Sequence, residues 1–174
     1  MENPALILSI SALTFTIFSF WWMNWRKGRL KVSLIKHFAI HNSENKLYIE
    51  LPLVFFNSGA MPVIVESLRL FLVDKNGTNK KLHFNAIRKE LGENDGRYFA
   101  TPFSINKGES KKIVCEFQKN PSEVILTDAT YTLLLEAKQY QSSKWKRVKT
   151  LFISIPKEKL ENIKSKYEIL EELN

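Results

Sequence analysis

Three histidines, one cysteine and three aspartates are the side chains on which any chemistry in this chain would have to rest. His37 and His41 stand four residues apart. That spacing shares one face on a helix, as in some zinc pairs, and also shares one face on a strand. Their surroundings read as a strand, no Glu-x-x partner lies between them, and His83 is isolated between Leu82 and Phe84. The usual zinc ligand sets are therefore not met, and no metal or other cofactor is expected. Cys115 alternates with Ile113 and Phe117, which places it on a buried face as an inert thiol, and as a lone cysteine it can form no internal disulfide. Asp74, Asp95 and Asp128 all sit in turn-forming contexts. No catalytic constellation emerges, so the chain reads as a non-enzyme.

Two basic runs offer binding chemistry instead. Lys144-Trp145-Lys146-Arg147, with Lys149, sets an aromatic ring among cations, which could stack on a base or dock on a lipid headgroup. The reading we favour is a solvated hairpin edge, where lysines discourage pairing between sheets. The chain carries a net charge of +8, spread unevenly. Up to Lys31, four basic residues face Glu2 alone for a net of +3, and the remaining 22 basic and 17 acidic residues give +5. That is a mildly basic domain, without the charge density of a nucleic-acid binder, so no nucleic acid is expected.

The elements that position these residues begin with a greasy segment. Ala5 to Met23 contains 19 residues without a charge. As a helix it covers roughly the hydrocarbon thickness of a bilayer. Trp21, Trp22 and Trp25 gather at one end, at headgroup level, and Arg26, Lys27, Arg29 and Lys31 follow as a basic flank expected to meet anionic lipid headgroups. A cleaved signal peptide would want positive charge before the run and small residues after it, and neither is present. Since the basic residues follow the span, the expected orientation is single-pass, with the N-terminus outside and the soluble domain cytoplasmic. Ala5, Ser9, Ala12, Thr16 and Ser19, spaced 4, 3, 4 and 3, line one stripe of small residues through which two such helices could associate as a homo-oligomer.

Beyond the flank the apolar period is two. Strands are expected at Leu30–Leu34, Leu47–Phe56, Val63–Val73, Leu82–Ala86, Phe99–Ile105, Ile113–Phe117, Tyr131–Ala137 and Val148–Ile155. Val54 and Phe56 suggest that the second of these is covered on both faces, and Pro52 suggests a bulge in it. Residues 88–97 read as a loop or a short helical turn, and Asn76-Gly77 as a tight turn. From Pro156 the period changes: Leu160, Ile163, Tyr167 and Leu170 recur at helical spacing, predicting an amphipathic helix over 157–173 whose stripe covers an edge or end of the sandwich or, as the alternative, binds a partner. The chain thus divides into a transmembrane helix at 1–25, a basic flank at 26–31, a β-sandwich at 32–155 and a C-terminal amphipathic helix at 156–174.

Three segments carry a family resemblance. Val54-Phe55-Phe56-Asn57-Ser58-Gly59-Ala60-Met61-Pro62-Val63 resembles the strand, Asn-x-Gly turn and return strand of the prokaryotic immunoglobulin-like accessory domains of the cell-adhesion-related bacterial type. Ile105-Asn106-Lys107-Gly108-Glu109-Ser110 is similar to their Pro-Gly-Glu-Ser turn, with Lys107 where proline is usual. Ala129-Thr130-Tyr131-Thr132-Leu133 is similar to the late strand that opens on Gly-x-Tyr. The resemblance covers about residues 45–155 and implies a mainly β, immunoglobulin-like antiparallel β-sandwich serving as a spacer, adhesion or assembly module. The function expected is that of a membrane-anchored interaction module binding another protein. The alternative is an oligomerising single-span effector whose domain senses a ligand.

Overall fold

The structure is a computed structural model that describes residues 3–34, 36–43, 46–92, 96–119, 126–140 and 142–171. Ile35, Asp95, the Asn120-Pro121-Ser122 segment at which the sequence ends a strand, and Gln141 lie outside the described residues. The apolar N-terminal run forms helix α1, Pro4–Asn24. Its start is set by Asn3, whose Oδ1 accepts the Ala5 N–H at 3.2 Å, and by Pro4, whose fixed φ suits a first turn. With 21 residues it is about 31 Å long at the usual rise, and none of its residues is buried against the protein. It is long and apolar enough to cross a membrane.

The remainder is mainly antiparallel β-structure. In chain order the strands are β1 Leu30–Leu34, β2 His37–Asn42, β3 Leu47–Asn57, β4 Val63–Val73, β5 Asn79–Arg88, β6 Arg97–Phe99, β7 Phe103–Ile105, β8 Ser110–Lys119, β9 Ala129–Gln139 and β10 Trp145–Ile155. Helix α2, Lys157–Ser165, and strand β11, Glu168–Glu171, complete the described chain. The described strands join into one hydrogen-bonded sheet in the order β10-β9-β4-β5-β8-β3-β2-β11, with β1 added to β3, β6 to β5 and β7 to β4. The sheet curls, and β1 lies against β10 near its far edge. Alternate side chains of the long strands fill the interior of the curl, among them Ile49, Leu51, Leu53 and Phe55 of β3, with Leu133 and Leu135 of β9. Cys115 is fully buried in that core, and loss of hydration pushes its thiol far up, so it stays protonated.

Several local expectations need correction. Pro52 makes no bulge: β3 keeps register with β8 through Pro52↔Val114, and Pro52 falls where β3 changes neighbour from β2 to β1. The irregularities lie instead between Phe84 and Ala86, Val65 and Ser67, and Arg147 and Lys149. The single strand expected at Phe99–Ile105 is two, β6 on β5 and β7 on β4, because Pro102 breaks the run and each half finds a different partner.

The largest correction concerns the C-terminus. The helix expected over 157–173 ends at Ser165, where Lys166 turns to extended geometry (φ −151°, ψ 170°). The chain then lies along the open edge of β2, pairing Glu168 with Ile40 through to Glu171 with His37. An unpaired edge offers a row of backbone donors and acceptors, and satisfying it outweighs extra helical turns in a short polar segment. The expected stripe is therefore not one helix face. Ile163 is 1% exposed and Leu170 8%, both packed in the core, while Leu160 is partly buried against it. Tyr167 covers a polar cluster described below.

Candidate functional site

Two regions stand out, the junction between α1 and the sheet, and a polar cleft at the opposite face of β3. At the junction the chain leaves α1 at Trp25 and meets the turn between β3 and β4 at once. The carbonyl of Arg26 accepts the N–H groups of Ala60 and Met61 at 2.9 and 3.1 Å, and the carbonyl of Arg29 accepts the Ser58 N–H at 3.0 Å. Asn57 is the hub. Fully buried, its Oδ1 accepts from Arg29 at 3.1 Å and Gly59 at 2.9 Å, while its Nδ2 donates to the carbonyls of Met61 at 2.8 Å and Ile105 at 3.2 Å. One amide thus satisfies four backbone groups from three segments, and the bonds to the Gly59 N–H and the Ile105 carbonyl are buried.

Small residues permit this closeness. A Cβ on Gly59 would fall 2.3 Å from the Lys27 carbonyl oxygen and 2.4 Å from the Gly28 Cα. One on Gly28 would fall 2.4 Å from Val63 and 2.6 Å from the Met61 carbonyl. The flank is a docked segment, with no slack between helix and sheet. Arg26 in particular does not reach freely for solvent: its Nη2 donates to the Ser58 carbonyl at 2.8 Å and its guanidinium lies 4.6 Å from the Trp22 ring centre. Lys27, Arg29 and Lys31 are exposed, as are Trp21, Trp22 and Trp25. Lys107, from the turn before β8, donates to the Met23 carbonyl at 2.7 Å and so caps the end of α1.

Along α1 the stripe of Ala5, Ser9, Ala12 and Thr16 is exposed. The Ser9 and Thr16 hydroxyls donate to the carbonyls of Ala5 and Ala12, each at 2.8 Å, so their protons are used inside the helix. What the stripe offers a neighbour is close backbone approach.

The cleft lies on the face of β3 opposite the core. Glu50 and Glu116 are neighbours across β3 and β8, both fully buried, where alternation alone would turn them to solvent. Arg88 Nε donates to Glu116 at 2.6 Å and lies 3.2 Å from Glu50 Oε1. Arg97 reaches Glu116 at 3.0 Å, Gln118 donates to it at 3.0 Å, and the Gly92 N–H donates to Glu50 at 2.8 Å. The Tyr167 hydroxyl accepts from Arg88 Nη2 at 3.0 Å and closes the cluster from above.

The two carboxyls diverge. Burial pushes Glu50 up, and the Gly92 N–H and Arg88 only partly offset it. Burial also works against Glu116, but the hydrogen bonds and charges of Arg97 and Arg88 overcome it and hold that carboxyl below the usual range. Burial, then the Glu50 charge, raises Tyr167. Glu116 is thus an anion fastening β8 to β5 and β6, and Arg88 carries the link on to Glu50 of β3. His41, Tyr48 and Tyr167 form a ring cluster at the mouth, with centroids 5.1 to 6.3 Å apart.

The two histidines of the sequence reading are occupied separately. His37 Nε2 lies 3.2 Å from Glu171, and His41 Nδ1 lies 2.9 Å from the Ile163 carbonyl. Among the described residues no group of three or more His, Cys, Asp or Glu could hold a metal ion. On the basic hairpin, Trp145 is covered by Arg69, whose guanidinium sits 4.3 Å from its ring and is itself paired with Glu136 at 2.6 Å. The most exposed aromatic pair is elsewhere, on the short strand β6: Tyr98 at 64% and Phe99 at 82%.

No family model matches this chain, and no curated protein does. Among solved structures, a crystal structure of a Bordetella pertussis protein given the name ApaA is similar at 13% identity and a TM-score of 0.39, over 76% of this chain and 98% of that one. A likeness at that level carries neither fold nor activity across.

Proposed function

We propose that this protein is a membrane-tethered interaction module: α1 spans the bilayer, and the β-domain, on the cytoplasmic side, binds another protein and catalyses nothing. The observation that carries the reading is α1 itself, an uncharged helix with no residue buried against the domain, joined to that domain through a docked flank. An exposed apolar surface of this length in water would aggregate, whereas in lipid it is satisfied. The side of the membrane follows from the basic residues that come after the span. The immunoglobulin-like reading of the domain rests on the sequence resemblance carried by the Asn57-Ser58-Gly59 turn and its flanking strands. Tyr98 and Phe99 support protein binding, since large aromatics standing in water on a short edge strand are the side chains that interfaces use.

The test is a photo-crosslinking residue at Phe99 or Tyr98 in the full chain, in membranes of the native cell, with Asn76 as control. A discrete adduct with a cytoplasmic protein from the β6 positions alone is expected. Loss of all protein adducts there would overturn the partner, and adducts with extracytoplasmic proteins would overturn the sidedness. Association through α1 is a second reading, favoured by the exposed small-residue stripe. Replacing Ser9, Ala12 and Thr16 with Leu should weaken in-membrane crosslinking between copies, and unchanged crosslinking would discard it.

A further inference from the structure

Lys31 pairs with Phe56, and Phe56 with Ser110, so β1, β3 and β8 begin or end side by side next to the exit of α1. The fold therefore adds a second basic set to the flank. Lys107, Lys111 and Lys112 are far away in sequence, yet Lys107 touches the last turn of α1 and the other two follow within five residues. Across residues 25–31, 57–63 and 105–112 seven basic residues face Glu109 alone, a net of +6 out of the chain's +8. Among these segments Met61 stands 47% exposed at the turn bonded to Arg26, with Pro62 beside it. A cationic rim around an exposed thioether, locked to the end of a membrane-length helix, is the chemistry of an interfacial contact.

We infer that this end of the β-domain is itself a membrane-binding surface, seated in the headgroup layer of an anionic bilayer, with Met61 at its centre and Lys107 of the β7–β8 turn, together with Lys111 and Lys112 at the start of β8, as phosphate contacts. The inference rests on the proposed span of α1. It goes further in fixing the attitude of the domain: seated on the lipid rather than held above it, with the turn at Asn76 pointing away. That turn is separated from Met61 by the whole of β4, about 33 Å at the usual rise per residue.

The test uses the full chain carrying Cys115→Ala, reconstituted in vesicles of phosphatidylcholine with one quarter phosphatidylglycerol. A nitrobenzoxadiazole label is placed singly at Met61→Cys, at Phe15→Cys within the span, and at Asn76→Cys. Spin-labelled lipid should quench positions 15 and 61, with 61 at headgroup depth, while aqueous iodide should quench 76. The docked flank holds 61 at that depth, so lipid quenching at 61 and 15 should both persist in pure phosphatidylcholine. Changing Lys107, Lys111 and Lys112 to Gln should lower the excess of quenching by spin-labelled phosphatidylglycerol over spin-labelled phosphatidylcholine at 61 several-fold and leave 15 unchanged. An unchanged ratio at 61 would overturn the phosphate contacts. Position 61 behaving like 76 while 15 is quenched by lipid would overturn the seated domain and leave the anchor standing. Position 15 open to iodide would overturn the anchor, and the seating with it.

Discussion

The Arg29 backbone N–H donates to Asn57 Oδ1 at 3.1 Å, across 28 positions of sequence, and through that bond the membrane-length helix and the sheet become one body. A flank that looks like a basic linker is part of the fold. Whatever displaces the domain is then felt at α1, which a slack connection would prevent.

Asn57→Ala strips four backbone groups of their partner, and those of Gly59 and Ile105 have no route to water without the junction opening. The expected cost is on the order of 3 kcal/mol, with new protease cleavage between Trp25 and Lys31. Thermal unfolding in detergent and limited proteolysis measure both. An unchanged melting temperature and cleavage pattern would mean that the junction is held by something else.

Two glycines separate close packing from backbone freedom. Gly59→Ala drives a methyl into the Lys27 carbonyl, whereas Gly77, at φ 78°, has nothing within 4 Å and needs only its left-handed backbone. Gly77→Ala should cost about 1 kcal/mol. Gly59→Ala should cost at least twice that and loosen the junction as Asn57→Ala does. Equal effects on melting temperature would contradict the packing described.

The buried carboxyls should respond oppositely. Glu116, held below its ordinary 4.5, contributes stability that is present above that value and lost as pH falls through the lower folded value. Glu116→Gln takes the anion from Arg97 and leaves Arg88 with one carboxylate in place of two, and should destabilise by about 3 kcal/mol near neutrality, with a flatter acid limb. Glu50, raised above 4.5, contributes stability that is full below that value and lost as pH rises through the folded one. Glu50→Gln should therefore raise the melting temperature at pH 8 and leave it nearly unchanged at pH 4. Melting curves from pH 3 to 8 for both variants decide this, and a shared direction at pH 8 would refute the assignment.

Much of this fold is legible in the residues because alternation is a local signal. Leu47 through Phe55 announces β3, the uncharged run announces α1, and Ile113, Cys115 and Phe117 announce the buried face of β8. Pairing is not local, so one curled sheet cannot be distinguished from two layers by period alone. Tyr167 and Leu170 show the same difficulty: their spacing fits a helix, and only the open edge of β2 makes a strand of Glu168–Glu171. Glu50 and Glu116 look solvent-facing for that reason, since what covers them, Tyr167 and the Gly92 turn, arrives from distant sequence. The double burial suggested by Val54 and Phe56 holds instead at Glu50 and Pro52, while Val54 is half-buried and Phe56 is 36% exposed.

The most direct measurement is extraction of the full chain from cell membranes at alkaline pH, beside a chain that begins at Arg26. The account predicts that the full chain stays in the pellet after carbonate washing and leaves it only with detergent, while the shortened chain is released. Release of the full chain by carbonate alone would contradict a spanning α1 and, with it, the membrane-tethered module.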